Sequence, residues 1–83
     1  MKLLYFAWLR TKVGHAEEEV TPPAEVGDVA GLVDWLKTRG PGYADALAND
    51  KVIRVAVNQR FAKPGDPVAP GDEVALFPPM TGG

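Results

Sequence analysis

Few of the 83 residues carry side chains fit for chemistry. Cysteine is absent, which removes disulfides, zinc–thiolate sites and cysteine-held iron–sulfur clusters. His15 is the single histidine, so a metal site built on paired imidazoles is excluded, and its position in a predicted turn makes it a bystander. The run Glu17-Glu18-Glu19 reads as a solvated edge and not as a catalytic carboxylate pair. There is no phosphate-binding glycine loop followed by Lys-Ser or Lys-Thr, and no nucleophile elbow. Gly40-Pro41-Gly42 reads as a helix stop. One reactive group is left, the α-carboxylate of Gly83 in FPPMTGG.

The residues ahead of that carboxylate suit its delivery into another protein. Pro78-Pro79 removes two backbone donors and fixes φ, which favours a stiff extended stem. Met80 and Thr81 act as a spacer, and Gly82-Gly83 gives a tip of very small cross-section that tolerates backbone angles a Cβ forbids. From Pro78 onward the reach is at most about 20 Å. A carboxylate is ionised at neutral pH and is a poor electrophile. It needs activation, most simply as an acyl-adenylate made from ATP. A sulfur nucleophile then displaces AMP and leaves a thiocarboxylate on Gly83. Sulfur handled in this way rides on the backbone and requires no cysteine.

A tail of this kind must be anchored by a core. Leu3 to Leu9 is apolar on both alternate sets and predicts a strand covered on both faces, at the centre of a sheet. Thr11 to Gly14 predicts a turn, Glu17 to Thr21 a second and more polar strand, and Pro22-Pro23 the end of its pairing. Asp28 is placed to cap a helix whose apolar stripe is Val29, Leu32, Val33 and Leu36, stopped by Gly40-Pro41. A short second helical piece is expected over Tyr43 to Ala48. Val52 to Val57 alternates as a third strand, and Gln59 to Ala62 pairs briefly as a fourth. Glu73 to Phe77 is the last strand, with Val74 and Leu76 inward, cut off by Pro78-Pro79. The expected fold is an α+β roll, a mixed sheet of four to five strands on one main helix, with the first and last strands as its central pair.

A chain of this length buries roughly 60–65 % of its unfolded surface, enough for one core. The expected division is a folded domain over 1–77 and an extended tail over 78–83. Net charge is −2 and the basic residues are scattered without a stripe, which argues against a nucleic-acid partner. Lys2 precedes an apolar run that stops at Arg10 with no small-residue cleavage site, so a signal peptide is not expected. No stretch has the length of a membrane span, and a cytoplasmic location is expected.

FAWLR at Phe6 to Arg10, VNQ at Val57 to Gln59, and GDEVALFPPMTGG at Gly71 to Gly83 carry a resemblance that runs over essentially the whole chain. In these the sequence resembles the small, sulfur-carrier subunits of molybdopterin synthase. A Gly-Gly end alone is shared with ubiquitin and with the thiamine-pathway carrier. The Phe-Pro-Pro stem, with two residues before Gly-Gly, favours the molybdopterin member. The resemblance implies a β-grasp, ubiquitin-like roll. It implies that a ubiquitin-activating-like enzyme adenylates Gly83 with ATP, held only as the transient adenylate, and that a sulfurtransferase and sulfur donor supply the thiocarboxylate. The tail (Pro78, Pro79, Met80, Thr81, Gly82) would thread into the large subunit and donate sulfur to cyclic pyranopterin monophosphate in molybdenum cofactor biosynthesis. The complex implied is a heterotetramer with two copies of each subunit. The chain would count as an enzyme only as the small subunit, without a complete active site, a permanent cofactor or a metal. Phe6, Phe61, Phe77 and Arg10 match positions that the family uses against its partners. Three alternatives stand beside this reading: a carrier serving thiamine or tRNA thiolation, a ubiquitin-like modifier joined to lysine amines, and an interaction module whose tail is dispensable.

Overall fold

The computed structural model describes residues 1–79. The elements in chain order are β1 (Lys2–Tyr5), α1 (Trp8–Val13), β2 (Glu17–Glu19), α2 (Val29–Lys37), α3 (Pro41–Ala46), β3 (Arg54–Val57), β4 (Arg60–Ala62) and β5 (Glu73–Phe77). A 3-10 turn over Asp50–Val52 leads into β3. The strands form one mixed sheet in the order β2-β1-β5-β3-β4. β1 and β5 run parallel at its centre, with Leu3 opposite Val74 and Tyr5 opposite Leu76. The other pairings are antiparallel.

Alternation along the strands decides which side chains enter the core. Leu3 and Tyr5 of β1, Val74 and Leu76 of β5, and Val55 of β3 are buried on one face. α2 lies over that face with Val29, Leu32, Val33 and Leu36, the stripe that the sequence spacing predicts. Asp28 caps it as expected, its Oδ1 accepting from the Gly31 N–H at 2.8 Å. Leu9 and Val13 of α1, Ala46 of α3 and Leu47 just after it join the core, with Val20, Ile53 and Val68 from the connecting segments. Among the described residues, no buried side-chain nitrogen or oxygen lacks a hydrogen-bond partner.

Three expectations need correction. The apolar run Leu3–Leu9 is not one strand: β1 stops at Tyr5 and α1 begins at Trp8. Ala7 between them has φ 55° and ψ −135°, which breaks the extended run. Leu9 and Val13 are then apolar at i and i+4 on a helix, and both are buried. The strand is consequently not covered on both faces: Leu3 and Tyr5 are buried, whereas Lys2 and Leu4 on the other face are partly exposed. Second, α2 ends at Lys37 with Thr38 as its cap, ahead of Gly40-Pro41, which instead opens α3: Pro41 sits at the first helical position, where its missing N–H costs nothing. α3 therefore runs ahead of the piece expected over 43–48. A Cβ at Gly42 would lie 2.5 Å from the Lys12 carbonyl oxygen, so glycine permits the close approach of α3 to the end of α1.

The third correction concerns Glu18, which is not a freely solvated edge residue. Its Oε2 accepts from the Tyr5 hydroxyl at 2.8 Å and the Tyr43 hydroxyl at 2.7 Å, and its Oε1 from Arg39 Nη1 at 2.9 Å. The Arg39 guanidinium also lies 5.3 Å from the Trp35 ring centroid and 5.2 Å from that of Tyr43. One carboxylate thus ties β1, β2, α3 and the segment after α2 together. Partial burial works against ionisation of Glu18, but the hydrogen bonds from Tyr43, Tyr5 and Arg39 outweigh it and hold its pKa below the ordinary value. Burial, reinforced by the neighbouring Glu18 carboxylate, pushes the Tyr5 and Tyr43 phenols up.

Candidate functional site

The sheet face opposite α2 is open. Across it, Leu4 of β1 lies opposite Ala75 of β5, Ala75 opposite Ala56 of β3, and Ala56 opposite Phe61 of β4. Small and partly exposed residues therefore line the middle of this face, and an aromatic ring stands at its edge. Phe77, the last residue of β5, is in register with Arg54 and occupies the adjoining row. Phe6 meets Phe77 edge to face at a centroid separation of 6.4 Å and 84°. Phe61 meets Phe77 at 6.0 Å and 55°. The three phenylalanines singled out in the sequence are one contiguous row, with Phe77 half-buried between two exposed rings.

Two local backbone devices produce this row. At one end, the Phe6 N–H donates to the Leu76 carbonyl at 3.2 Å, extending the β1–β5 pairing by one residue before Ala7 turns the chain away into α1. At the other end, Asn58 and Gln59 have φ 52° and 69° and form the two-residue turn between β3 and β4. Left-handed angles at both central positions give a turn whose twist matches paired strands, and asparagine tolerates them well. The Asn58 side chain is spent on the same task. Its Nδ2 donates to Asp72 Oδ1 at 3.0 Å, and its Oδ1 accepts from the Glu73 N–H at 3.0 Å. The bond from Asn58, with a second from the Ala69 N–H, holds the Asp72 carboxyl below its ordinary pKa. The VNQ segment thus fixes the hairpin that carries Phe61 against the start of β5.

Pro78 and Pro79 leave β5 beside this row. With Phe6, Ala7, Ala75 and Phe77 they line a shallow and almost wholly apolar groove. Arg10 is exposed on α1. Met80, Thr81, Gly82 and Gly83, the expected spacer and reactive tip, lie outside the described residues. Two features of the surface were not singled out in the sequence. Ala7 carries no signal, since neither glycine nor proline marks the break. Trp8 is exposed beside the row with the Lys12 ammonium 5.7 Å from its ring centroid, and it was concealed within the apolar run.

The described residues offer a docking face and a stem, and among them no group of three or more His, Asp or Glu side chains is placed to hold a metal ion. No helix among them is long and apolar enough to cross a membrane. A mixed sheet ordered β2-β1-β5-β3-β4 with α2 across one face defines the ubiquitin-like β-grasp class, as expected.

Within that class, the chain belongs to the ThiS family, whose model matches residues 3–83. It is 39 % identical over 83 residues to the molybdopterin synthase sulfur carrier subunit of Escherichia coli K12, covering 100 % of this chain and 99 % of that protein. Among solved structures it resembles a putative molybdopterin converting factor subunit 1 from Pyrococcus furiosus, 30 % identical with a TM-score of 0.76, covering 95 % of each chain. It also resembles small archaeal modifier protein 1 from Haloferax volcanii, 30 % identical with a TM-score of 0.74, covering 96 % of this chain and 97 % of that one.

Proposed function

We propose that the chain is the sulfur-carrier subunit of a molybdopterin synthase, working through the α-carboxylate of Gly83. The carboxylate attacks the α-phosphate of ATP on a ubiquitin-activating-like enzyme, giving the acyl-adenylate and pyrophosphate. A persulfide-type sulfur from a sulfurtransferase displaces AMP, and reduction of the remaining S–S bond by a thiol leaves the thiocarboxylate. The tail, Pro78 to Gly83, then threads into the large subunit, where the sulfur forms a C–S bond to cyclic pyranopterin monophosphate as a C–O bond at that carbon breaks and its oxygen leaves. Hydrolysis of the resulting acyl link returns Gly83 to the carboxylate. Two such transfers supply the dithiolene, in a heterotetramer with two copies of each subunit. The pterin pocket and its acid–base groups belong to the large subunit, ATP is bound only in passing, and the setting is cytoplasmic.

The observation that carries this reading is the phenylalanine row at the root of the stem. An exposed aromatic surface continuous with the strand from which the tail departs suits a hot spot at the centre of an interface. Docking there would aim whatever follows Pro79 into the partner. Phe6, Phe61 and Phe77 form this surface, and Arg10 on the neighbouring helix serves the activating enzyme. The direct test is the intact mass of protein from cells with an active sulfur-transfer pathway. A species heavier by exchange of one oxygen for sulfur, localised by fragmentation to Gly83, is the expected result. An unmodified carboxylate after incubation with ATP, activating enzyme and sulfur donor would remove the proposal.

The likeness to small archaeal modifier protein 1 favours one second reading, a modifier in which Gly83 forms an isopeptide bond to lysine amines. The same mass analysis separates the two. Carrier chemistry leaves a terminal thiocarboxylate, whereas a modifier leaves covalent conjugates of higher mass.

A further inference from the structure

A second surface lies on the other side of β3 and β4, between that hairpin and α2. Val33, Ile53 and Ala62 form the apolar floor of an open groove there, and Phe61, 81 % exposed, stands at its lip. Lys51, Arg54 and Lys63 make its rim together with Asp34 and Asp50. The two acids are already engaged: Lys37 Nζ lies 2.8 Å from Asp50 Oδ2 and 3.9 Å from Asp34 Oδ1. Lys51, Arg54 and Lys63 form no ion pair among the described residues. The rim is therefore cationic on a chain whose formal net charge is −2. β4 is the edge strand, so one side of its backbone has no partner strand among the described residues.

We infer that this groove is a docking site for an extended acidic peptide segment of a protein partner, adjoining the surface that serves the tail only at Phe61. The segment adds to the free edge of β4 as a further strand. Its inward side chains are apolar and enter the groove floor against α2. Its flanking Asp and Glu residues meet Lys51, Arg54 and Lys63. Strand addition supplies backbone hydrogen bonds, alternate side chains supply the apolar contact, and the unpaired cations select sign. On this side of the hairpin it is Ala62, in register with the buried Val55, that faces the groove floor, while the lysines flank it. Phe61 belongs to both surfaces, because its ring also contacts Phe77. A segment bound at β4 would therefore lie next to the phenylalanine row without covering Phe6.

The test is a selection from a random-peptide display library on the full chain, followed by amide-resolved NMR titration of the enriched peptides. The expected result is enrichment of peptides with apolar residues bordered by Asp or Glu, which shift the amides of Arg60 to Lys63 and of α2. Affinity for these peptides should fall about tenfold or more in the Lys51→Glu/Lys63→Glu chain, as expected when rim charges are reversed. The milder Lys51→Gln/Lys63→Gln chain should move in the same direction. Both lysines are exposed and unpaired, so the wild-type melting temperature is the control for folding. The inference is overturned if no peptide is enriched, if enriched peptides lack acidic residues, or if shifts are confined to Phe6, Phe77 and their neighbours. Sulfur loading of Gly83 plays no part in this readout, so it stands or falls apart from the carrier reading.

Discussion

Ala7 occupies a backbone region, φ 55° and ψ −135°, that glycine enters freely and an L side chain does not. The conformation persists because both sides fix it: the Phe6 N–H is bonded to Leu76, and the Arg10 N–H donates to the Ala7 carbonyl at 3.1 Å. Replacement by glycine removes the conflict. Ala7→Gly is expected to raise the unfolding free energy by about 1 kcal/mol, the middle of the strain range less the entropy glycine loses on folding. Urea denaturation reads this directly, and a less stable variant would show that the turn is not strained. Phe61 raises the opposite question, since its ring is exposed and supports little of the core. Phe61→Ala is expected to change stability by no more than about 0.5 kcal/mol. Its cost should appear in association with the proposed large subunit, about 2 kcal/mol if the residue is a hot spot. Calorimetric titration showing unchanged affinity would return Phe61 to the inert surface.

At the scale of elements, the Glu18 cluster makes stability depend on pH in a defined direction. The folded-state pKa of Glu18 is lowered, so its contribution is fully present above its unfolded value of about 4.5 and is lost as pH falls through the folded value. Tyr5 and Tyr43 act at the other end. Their folded values are raised, so their contribution is intact below about 10 and is eroded at higher pH. Glu18→Gln is expected to cost about 1 kcal/mol at neutral pH, the net worth of the weakened hydrogen bonds. The difference from wild type should shrink as the solution is taken below pH 4.5. A difference that stayed constant across that range in denaturant titrations would show that ionised Glu18 contributes nothing.

This cluster also marks a boundary of what the sequence discloses. β5, α2 and the Asp28 cap were legible, because each is written in consecutive residues: alternation between Glu73 and Phe77, one apolar stripe, one capping carboxylate. Glu18 was not, because its partners Tyr5, Arg39 and Tyr43 lie at separations of 13, 21 and 25 residues. α1 was concealed for another reason. Leu3 to Leu9 fits a strand at every position, and the turn at Ala7 is made by a residue that ordinarily avoids it. The Phe6, Phe61 and Phe77 positions were found through a resemblance, and their contiguity follows from pairings that only the assembled sheet displays.

For the whole molecule, the division of labour is between a self-sufficient core and a tail that it presents. The buried residues fall between Leu3 and Leu76, and the parallel β1–β5 pair puts the last strand at the centre of the sheet. The root of the stem is thus held by pairing on both sides, through β1 and β3. Such a root transmits little of what happens beyond it, and that makes the carrier reading testable by deletion. A chain lacking Gly82 and Gly83 is expected to melt at the wild-type temperature, because the buried residues named above end at Leu76. It should still associate with the proposed large subunit through Phe6, Phe61 and Phe77, with an affinity reduced only by the share that the threaded tip supplies. Adenylation and sulfur transfer should be abolished outright, since the carboxylate would then sit on Thr81, short of the activating site and with a branched side chain at the tip. If pyrophosphate release by the activating enzyme proceeded at the wild-type rate with this chain, the requirement for a slender Gly-Gly tip would fail. If both melting and association collapsed, the tail would be part of the fold, and the separation of scaffold from carrier would have to be abandoned.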